Sequence, residues 1–228
     1  MLIGLRGGHS PNCKGAIGYL DEQIECLKIY NRVAEILRNN GHTVIDCNST
    51  ESDANKDLTV GINKANSYSN MDYFLSIHMN AGGGTGCECW TYGSTSRANQ
   101  MAARICTQLS SLGLRNRGVK YNSRWAEMKG VKAPNIIVET LFVDSKDDEA
   151  FYNTNFEKIC IAIVKGIDET INSDIQTPST PSTPSTPAIY RVLVDGTQVG
   201  AFGSKDNVGN KVKEELDKTP NKIEIIKK

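Results

Sequence analysis

Apolar and polar positions alternate along the first 171 residues in two periods. Short apolar runs bounded by glycine, asparagine or aspartate predict strands, and stripes at i, i+3, i+4 predict helices. Leu2–Leu5, His42–Cys47, Tyr73–His78, Cys87–Tyr92 and Asn135–Thr140 read as strands. Asp21–Asn39 reads as a helix through Ile24, Leu27, Tyr30, Val33, Ala34 and Leu37, with Gly41 as its stop. Asp53–Ser67, Ser94–Leu112 and Lys146–Ile171 read as helices, the last with Ile159, Ile163, Ile167 and Ile171 in one stripe. Strands alternating with helices predict an α/β fold with a largely parallel central sheet flanked by helices.

Pro178, Pro181, Pro184 and Pro187 recur every third residue within a Pro/Ser/Thr run that has no apolar side chain to bury. Such a run favours extended polyproline II. It predicts a domain over 1–174, a linker over 175–187 and a small α+β C-terminal module over 188–228. In that module the pattern predicts strand Ile189–Val194, an Asp195-Gly196 hairpin turn, strand Gln198–Phe202, helix Lys205–Leu216 and strand Lys222–Ile226. A module this small has a marginal core, which leaves homo-oligomerisation through it open.

Composition narrows the function classes. Lys+Arg and Asp+Glu are 26 each, so no cationic excess points to nucleic acid. No apolar run approaches the ~20 residues of a membrane span, so no membrane insertion is expected. The N-terminus reads as a first strand rather than an export signal, which predicts synthesis in the cytoplasm without a signal peptide. The seven cysteines are read as buried thiols rather than a disulfide framework. Cys87 and Cys89 share one strand face.

Chemistry collects where three predicted strands finish: Gly7-Gly8-His9 after the first, His78 on the third, and Glu139 on the strand beginning at Asn135. Two histidines make half of a catalytic zinc site, which wants three protein ligands and one open position. A carboxylate at a helix start is the natural third. Glu22 fits, with Glu25 one turn on as its competitor; an ordinary N-terminal helix acid is the plainer reading of Glu22. Glu139 sits in the apolar stretch Ile136-Ile137-Val138, where burial raises a carboxyl towards the range of a general base. A structural ion pair is the other reading of it. His42, after Gly41, is read as an ordinary turn residue.

These stretches resemble the zinc-dependent N-acetylmuramoyl-L-alanine amidases of the amidase-3 type, found among autolysins and phage endolysins. The matching segments are Arg6-Gly-Gly-His9-Ser10, Gly15-Ala-Ile-Gly18 with Asp21-Glu22, Ser76-Ile-His78-Met-Asn80-Ala81, Gly86-Cys-Glu-Cys-Trp-Thr-Tyr92, Asn116-Arg-Gly-Val-Lys120 and Pro134-Asn-Ile-Ile-Val-Glu139. Where the family often has Gly-His-Gly-Gly, this chain has Gly7-Gly8-His9-Ser10-Pro11. The resemblance implies one Zn²⁺ held by His9, Glu22 and His78, with Glu139 as catalytic acid/base. It implies cleavage of the amide between N-acetylmuramic acid and L-alanine in the peptidoglycan of a Gram-positive bacterium. Asn80, Arg124 and Trp125 are candidate substrate contacts, the last two in a loop before the Glu139 strand. Tyr190-Arg-Val-Leu-Val194 and Val199-Gly-Ala-Phe-Gly203 weakly resemble the start of SPOR-like repeats, which implies a cell-wall-binding module. An endolysin released through a holin is the leading reading. An autolysin, a prophage-derived wall peptidase or deacylase, and a non-catalytic wall-binding protein are the alternatives.

Overall fold

The computed structural model describes residues 1–171, 190–202, 211, 212, 215, 216, 218 and 222–227. The chain forms two compact units, Met1–Ile175 and Gln176–Lys228. The linker read over 175–187 lies outside the described residues.

The first unit runs β1 (Leu2–Gly7), α1 (Glu22–Asn39), β2 (Thr43–Asp46), α2 (Ala54–Asn66), β3 (Tyr73–Asn80), β4 (Cys87–Thr91), α3 (Asn99–Ser111), β5 (Asn116–Tyr121), α4 (Ala126–Gly130), β6 (Asn135–Phe142) and α5 (Lys146–Ile167). The sheet order is β2-β1-β3-β6-β4-β5. β2, β1, β3 and β6 are parallel; β4 pairs antiparallel with β6 and parallel with β5. The fold is thus α/β with a largely parallel sheet. β5 and α4 are not predicted by periodicity. β5 has few apolar side chains, and α4 is a single turn and a half within the segment read as a loop.

The sheet is banked unequally. One face presents Ile3, Leu5, Leu75, Ile77, Ile136, Val138, Cys87 and Cys89 to α1, α3 and α5, and this is the main core. All seven cysteines are free thiols, and six are buried. The other face carries a smaller cluster of Cys47, Ala65, Met71, Phe74 and Val131. Beyond that cluster the same face turns polar, and the candidate chemistry lies there.

Helix starts are set by side-chain caps. Asp21, Asp53 and Ser145 each accept from a backbone N–H at the start of α1, α2 and α5. After α1, Gly41 takes φ +82°, the left-handed geometry that ends the helix. The buried stripe of α1 is rotated from the predicted one. Cys26 and Ile29 are buried and Ile24 is 42% exposed, so the stripe begins at Glu22. α5 ends at Ile167, four residues before the predicted end, capped by Asp168. Asp168 Oδ2 lies 3.0 Å from His42 Nε2, so His42 is more than a turn residue: it ties the α1–β2 corner to the end of α5.

In the second unit β7 (Tyr190–Val194), β8 (Thr197–Phe202) and β9 (Ile223–Lys227) form an antiparallel sheet in the order β8-β7-β9. Asp195 and Gly196 both have positive φ, as a tight hairpin turn requires. Of the predicted helix Lys205–Leu216, residues 211, 212, 215 and 216 are described and helical; the rest lies outside the described residues.

Candidate metal centre

The parallel register of β3 and β6 places His78 directly beside Glu139, and the antiparallel register of β6 and β4 places Glu88 on the other side of Glu139. Direct cross-strand partners project from the same face. His78 and Glu139 therefore sit within their strands, which run on to Asn80 and Phe142, rather than at strand ends as the sequence pattern predicts. The extra residues are strand because Thr140 donates to the His78 carbonyl at 3.1 Å and the backbone pairing resumes past a bulge.

His9 follows β1 with φ +68°, a left-handed conformation rare for a residue with a side chain. The turn brings its Nε2 to 3.2 Å from Glu22 Oε2. Glu22 Oε1 is 3.0 Å from His78 Nδ1. One ligand atom from each of His9, Glu22 and His78 lies within 4.8 Å of the others. Glu22 is buried at the start of α1, where backbone N–H groups of Ala16 (2.8 Å) and Met79 (3.3 Å) donate to its two oxygens. Burial alone would raise its carboxyl; the hydrogen bonds with His78 and His9 outweigh this and hold it well below the usual carboxylate range. Burial would also lower His78, but Glu22 and the neighbouring carboxylates raise it. Glu25 is turned away, paired with Lys28 at 2.8 Å and accepting from the Tyr152 hydroxyl at 2.7 Å. The rotation of α1 that buries Cys26 and Ile29 thus selects Glu22 over its competitor.

Two imidazoles and one charged carboxylate are a donor set suited to a divalent ion. The surroundings are shaped to those donors. A Cβ on Gly8 would collide with the His78 ring, and one on Gly15 would collide with Glu22 Oε2 and His9 Nε2. The three residues form a possible His/Glu/His metal site.

Glu139 is the acid beside it. Its Oε2 is buried without a hydrogen-bond partner among the described residues. Burial pushes its carboxyl up to about 7; His78 opposes this, and Glu22 and Glu88 add to it. A cleft of about 250 Å³ opens between Glu139 and His78 on one side and Leu58, Trp125, Ala126, Glu127 and Ile137 on the other.

A family model for N-acetylmuramoyl-L-alanine amidase, Amidase_3, matches residues 3–169. The chain belongs to the Amidase_3 family. Curated relatives include an uncharacterised protein of Clostridium perfringens, 40% identical over 75% of this chain and 52% of that protein. They also include an endolysin of Bacillus phage SPP1, 27% identical over 75% of this chain and 66% of that one. Among solved structures, the catalytic domain of the CD27L endolysin is 27% identical, with a TM-score of 0.70, over 75% of this chain and 99% of that domain. This Amidase_3 chain spans about half the length of the two Clostridium perfringens relatives it matches, 52% and 54%.

Of the candidate substrate contacts in this family member, Trp125 lines the cleft, 38% exposed, with its ring packed 4.7 Å from that of Trp90. Arg124 is exposed and does not line it. Asn80 is engaged: its Nδ2 donates to Glu88 Oε1 at 3.0 Å. Two buried charge clusters escaped sequence reasoning. Glu88 is held by Arg117 (2.6 Å), Lys120 (2.5 Å) and the Trp90 indole N–H (3.0 Å). Arg6, 1% exposed, lies 2.6 Å from Asp57 and 3.3 Å from Glu127, itself 3% exposed. The signal was an arginine on an otherwise apolar strand, which cannot be buried without acids.

Proposed function

We propose that this chain hydrolyses the amide between N-acetylmuramic acid and L-alanine in peptidoglycan as a cell-wall lytic enzyme. The observation that carries the reading is the convergence of His9, Glu22 and His78 beside Glu139, whose raised carboxyl has an Oε2 without a hydrogen-bond partner among the described residues. Family membership supports the same substrate class.

His9, Glu22 and His78 would hold Zn²⁺, which when bound supplies Lewis-acid polarisation and a water of lowered pKa. Glu139, in its carboxylate form, takes a proton from the attacking water and passes it to the leaving nitrogen as the C–N bond breaks. Leu58, Trp125 and Ile137 form apolar walls of the cleft in which that transfer takes place.

The same reading assigns residues 188–228, after the linker at 175–187, to a wall-binding module that raises local enzyme concentration and is a candidate site of self-association. It assigns a Gram-positive wall as the partner, with holin-dependent release in the manner of an endolysin. No helix among the described residues is long and apolar enough to cross a membrane.

The test is amide cleavage in purified Gram-positive walls, followed by mass spectrometry and by zinc content. Intact glycan and intact stem peptide released together, with activity lost on chelation, is the expected result. Glu139→Gln is expected to lower turnover about 100- to 10,000-fold while retaining metal. Undiminished lysis by Glu139→Gln, or fragments cut within the peptide, would remove the reading.

A further inference from the structure

The cleft beside the metal site contains a second carboxylate that the proposed hydrolysis does not use. Glu127 lies at the start of α4, immediately after Trp125 and Ala126, and lines the cleft with His78 and Glu139. It is 3% exposed, and its side chain takes no hydrogen bond from the described residues. Its one ion-pair partner among them, Arg6, is already engaged by Asp57 at 2.6 Å, against 3.3 Å to Glu127. One guanidinium thus faces two buried carboxylates and sits closer to Asp57 than to Glu127. A buried carboxylate without a donor is costly to keep. Two carboxylates, Glu127 and Glu139, but no lysine or arginine, line the cleft; its other walls, apart from His78, are Leu58, Trp125, Ala126 and Ile137.

An acceptor-only group in a small apolar cleft suits a ligand bearing an ammonium or amide N–H next to a small apolar side chain. Resting on the amide-hydrolysis reading, we propose that Glu127 binds the new α-ammonium of the released peptide. Hydrolysis breaks the C–N bond and leaves the peptide nitrogen as a free amine, which is protonated near neutral pH. Before cleavage the same nitrogen carries one N–H and no charge, so Glu127 holds the product more strongly than the substrate. Arg6, itself held by Asp57, lies 3.3 Å from its carboxylate. Glu127 is on this account a product-binding residue that sets how fast the peptide leaves.

The experiment compares competitive inhibition by L-alanyl-D-isoglutamine with that by its N-acetyl form, using the full chain with metal bound. The free amine is expected to bind at least about tenfold more tightly, the size of a charge-assisted hydrogen bond. The preference is expected to vanish in Glu127→Gln and to persist for direct binding to Glu139→Gln, measured by calorimetry. Equal affinity of the two peptides for the wild-type protein would overturn the proposal, and needs no variant that must fold. Loss of the preference in Glu139→Gln but not in Glu127→Gln would overturn it too. Wall hydrolysis in the same preparation separates the cases. Hydrolysis without amine preference sinks this inference alone; amine preference without hydrolysis sinks the proposed activity.

Discussion

Glu88 faces Glu139 directly across the β4–β6 pair, so the candidate base has a buried carboxylate as its neighbour. Arg117, Lys120 and Trp90 hold Glu88 charged: burial would raise its carboxyl, and their hydrogen bonds lower it below the ordinary value of 4.5. A carboxyl lowered in the fold contributes stability above its unfolded value and loses it as pH falls through the folded value. Glu88→Gln is therefore expected to destabilise the protein by ~1–3 kcal/mol at pH 7. The gap to wild type should close as pH drops below 4.5 in urea unfolding followed over a pH series. A gap independent of pH would show that packing, not charge, is what the substitution removes.

Glu22 and Glu25 provide a paired test of the metal site. Glu22 bridges the two histidines, whereas Glu25 is engaged by Lys28 and Tyr152. Glu22→Gln is expected to lose bound zinc on dialysis, and Glu25→Gln to keep about one equivalent. Atomic absorption on the dialysed proteins distinguishes them.

Gly15 is held against both Glu22 and His9, with no room for a methyl group. Gly15→Ala is expected to weaken zinc affinity by about 10- to 100-fold, as displaced ligand support does elsewhere. Chelator competition reads this directly, while thermal unfolding of the metal-free protein should move little.

Trp125 forms one wall of the cleft and Arg124 does not. Trp125→Ala is expected to raise KM about tenfold by removing apolar contact area, and Arg124→Ala to change it less than twofold. Steady-state kinetics on a soluble muropeptide measures both; a larger effect at Arg124 would relocate the substrate path.

Much of this was legible in the chain because burial imposes periodicity. The central strands β1, β3 and β6 are apolar on the core face and short, and their ends fall near Gly7, Asn80 and Phe142. β5 left little trace, since its Asn116-Arg-Gly-Val-Lys-Tyr sequence serves partly to neutralise Glu88 rather than to fill a core. His9, His78 and Glu139 could be singled out as rare polar groups near strand ends. The choice between Glu22 and Glu25 could not be made from spacing, because it depends on which side of α1 packs on the sheet. The role of Arg6 was hidden for a similar reason: its two acids come from α2 and α4, 51 and 121 positions along the chain.

The unequal banking of the sheet separates two demands that compete in many enzymes. Helices α1, α3 and α5 cover the main core on one side, while α2, α4 and their flanking loops cover the smaller cluster and supply the acids that pair with buried Arg6 on the other. The exposed positions of those segments, such as Arg124 and Trp125, can change at little expense to folding, whereas Asp57 and Glu127 cannot, because each neutralises a buried guanidinium. The one segment 121–133 thus carries both the exposed rim of the cleft at Trp125 and the buried anchors Glu127, Met128 and Val131 that hold it to the sheet.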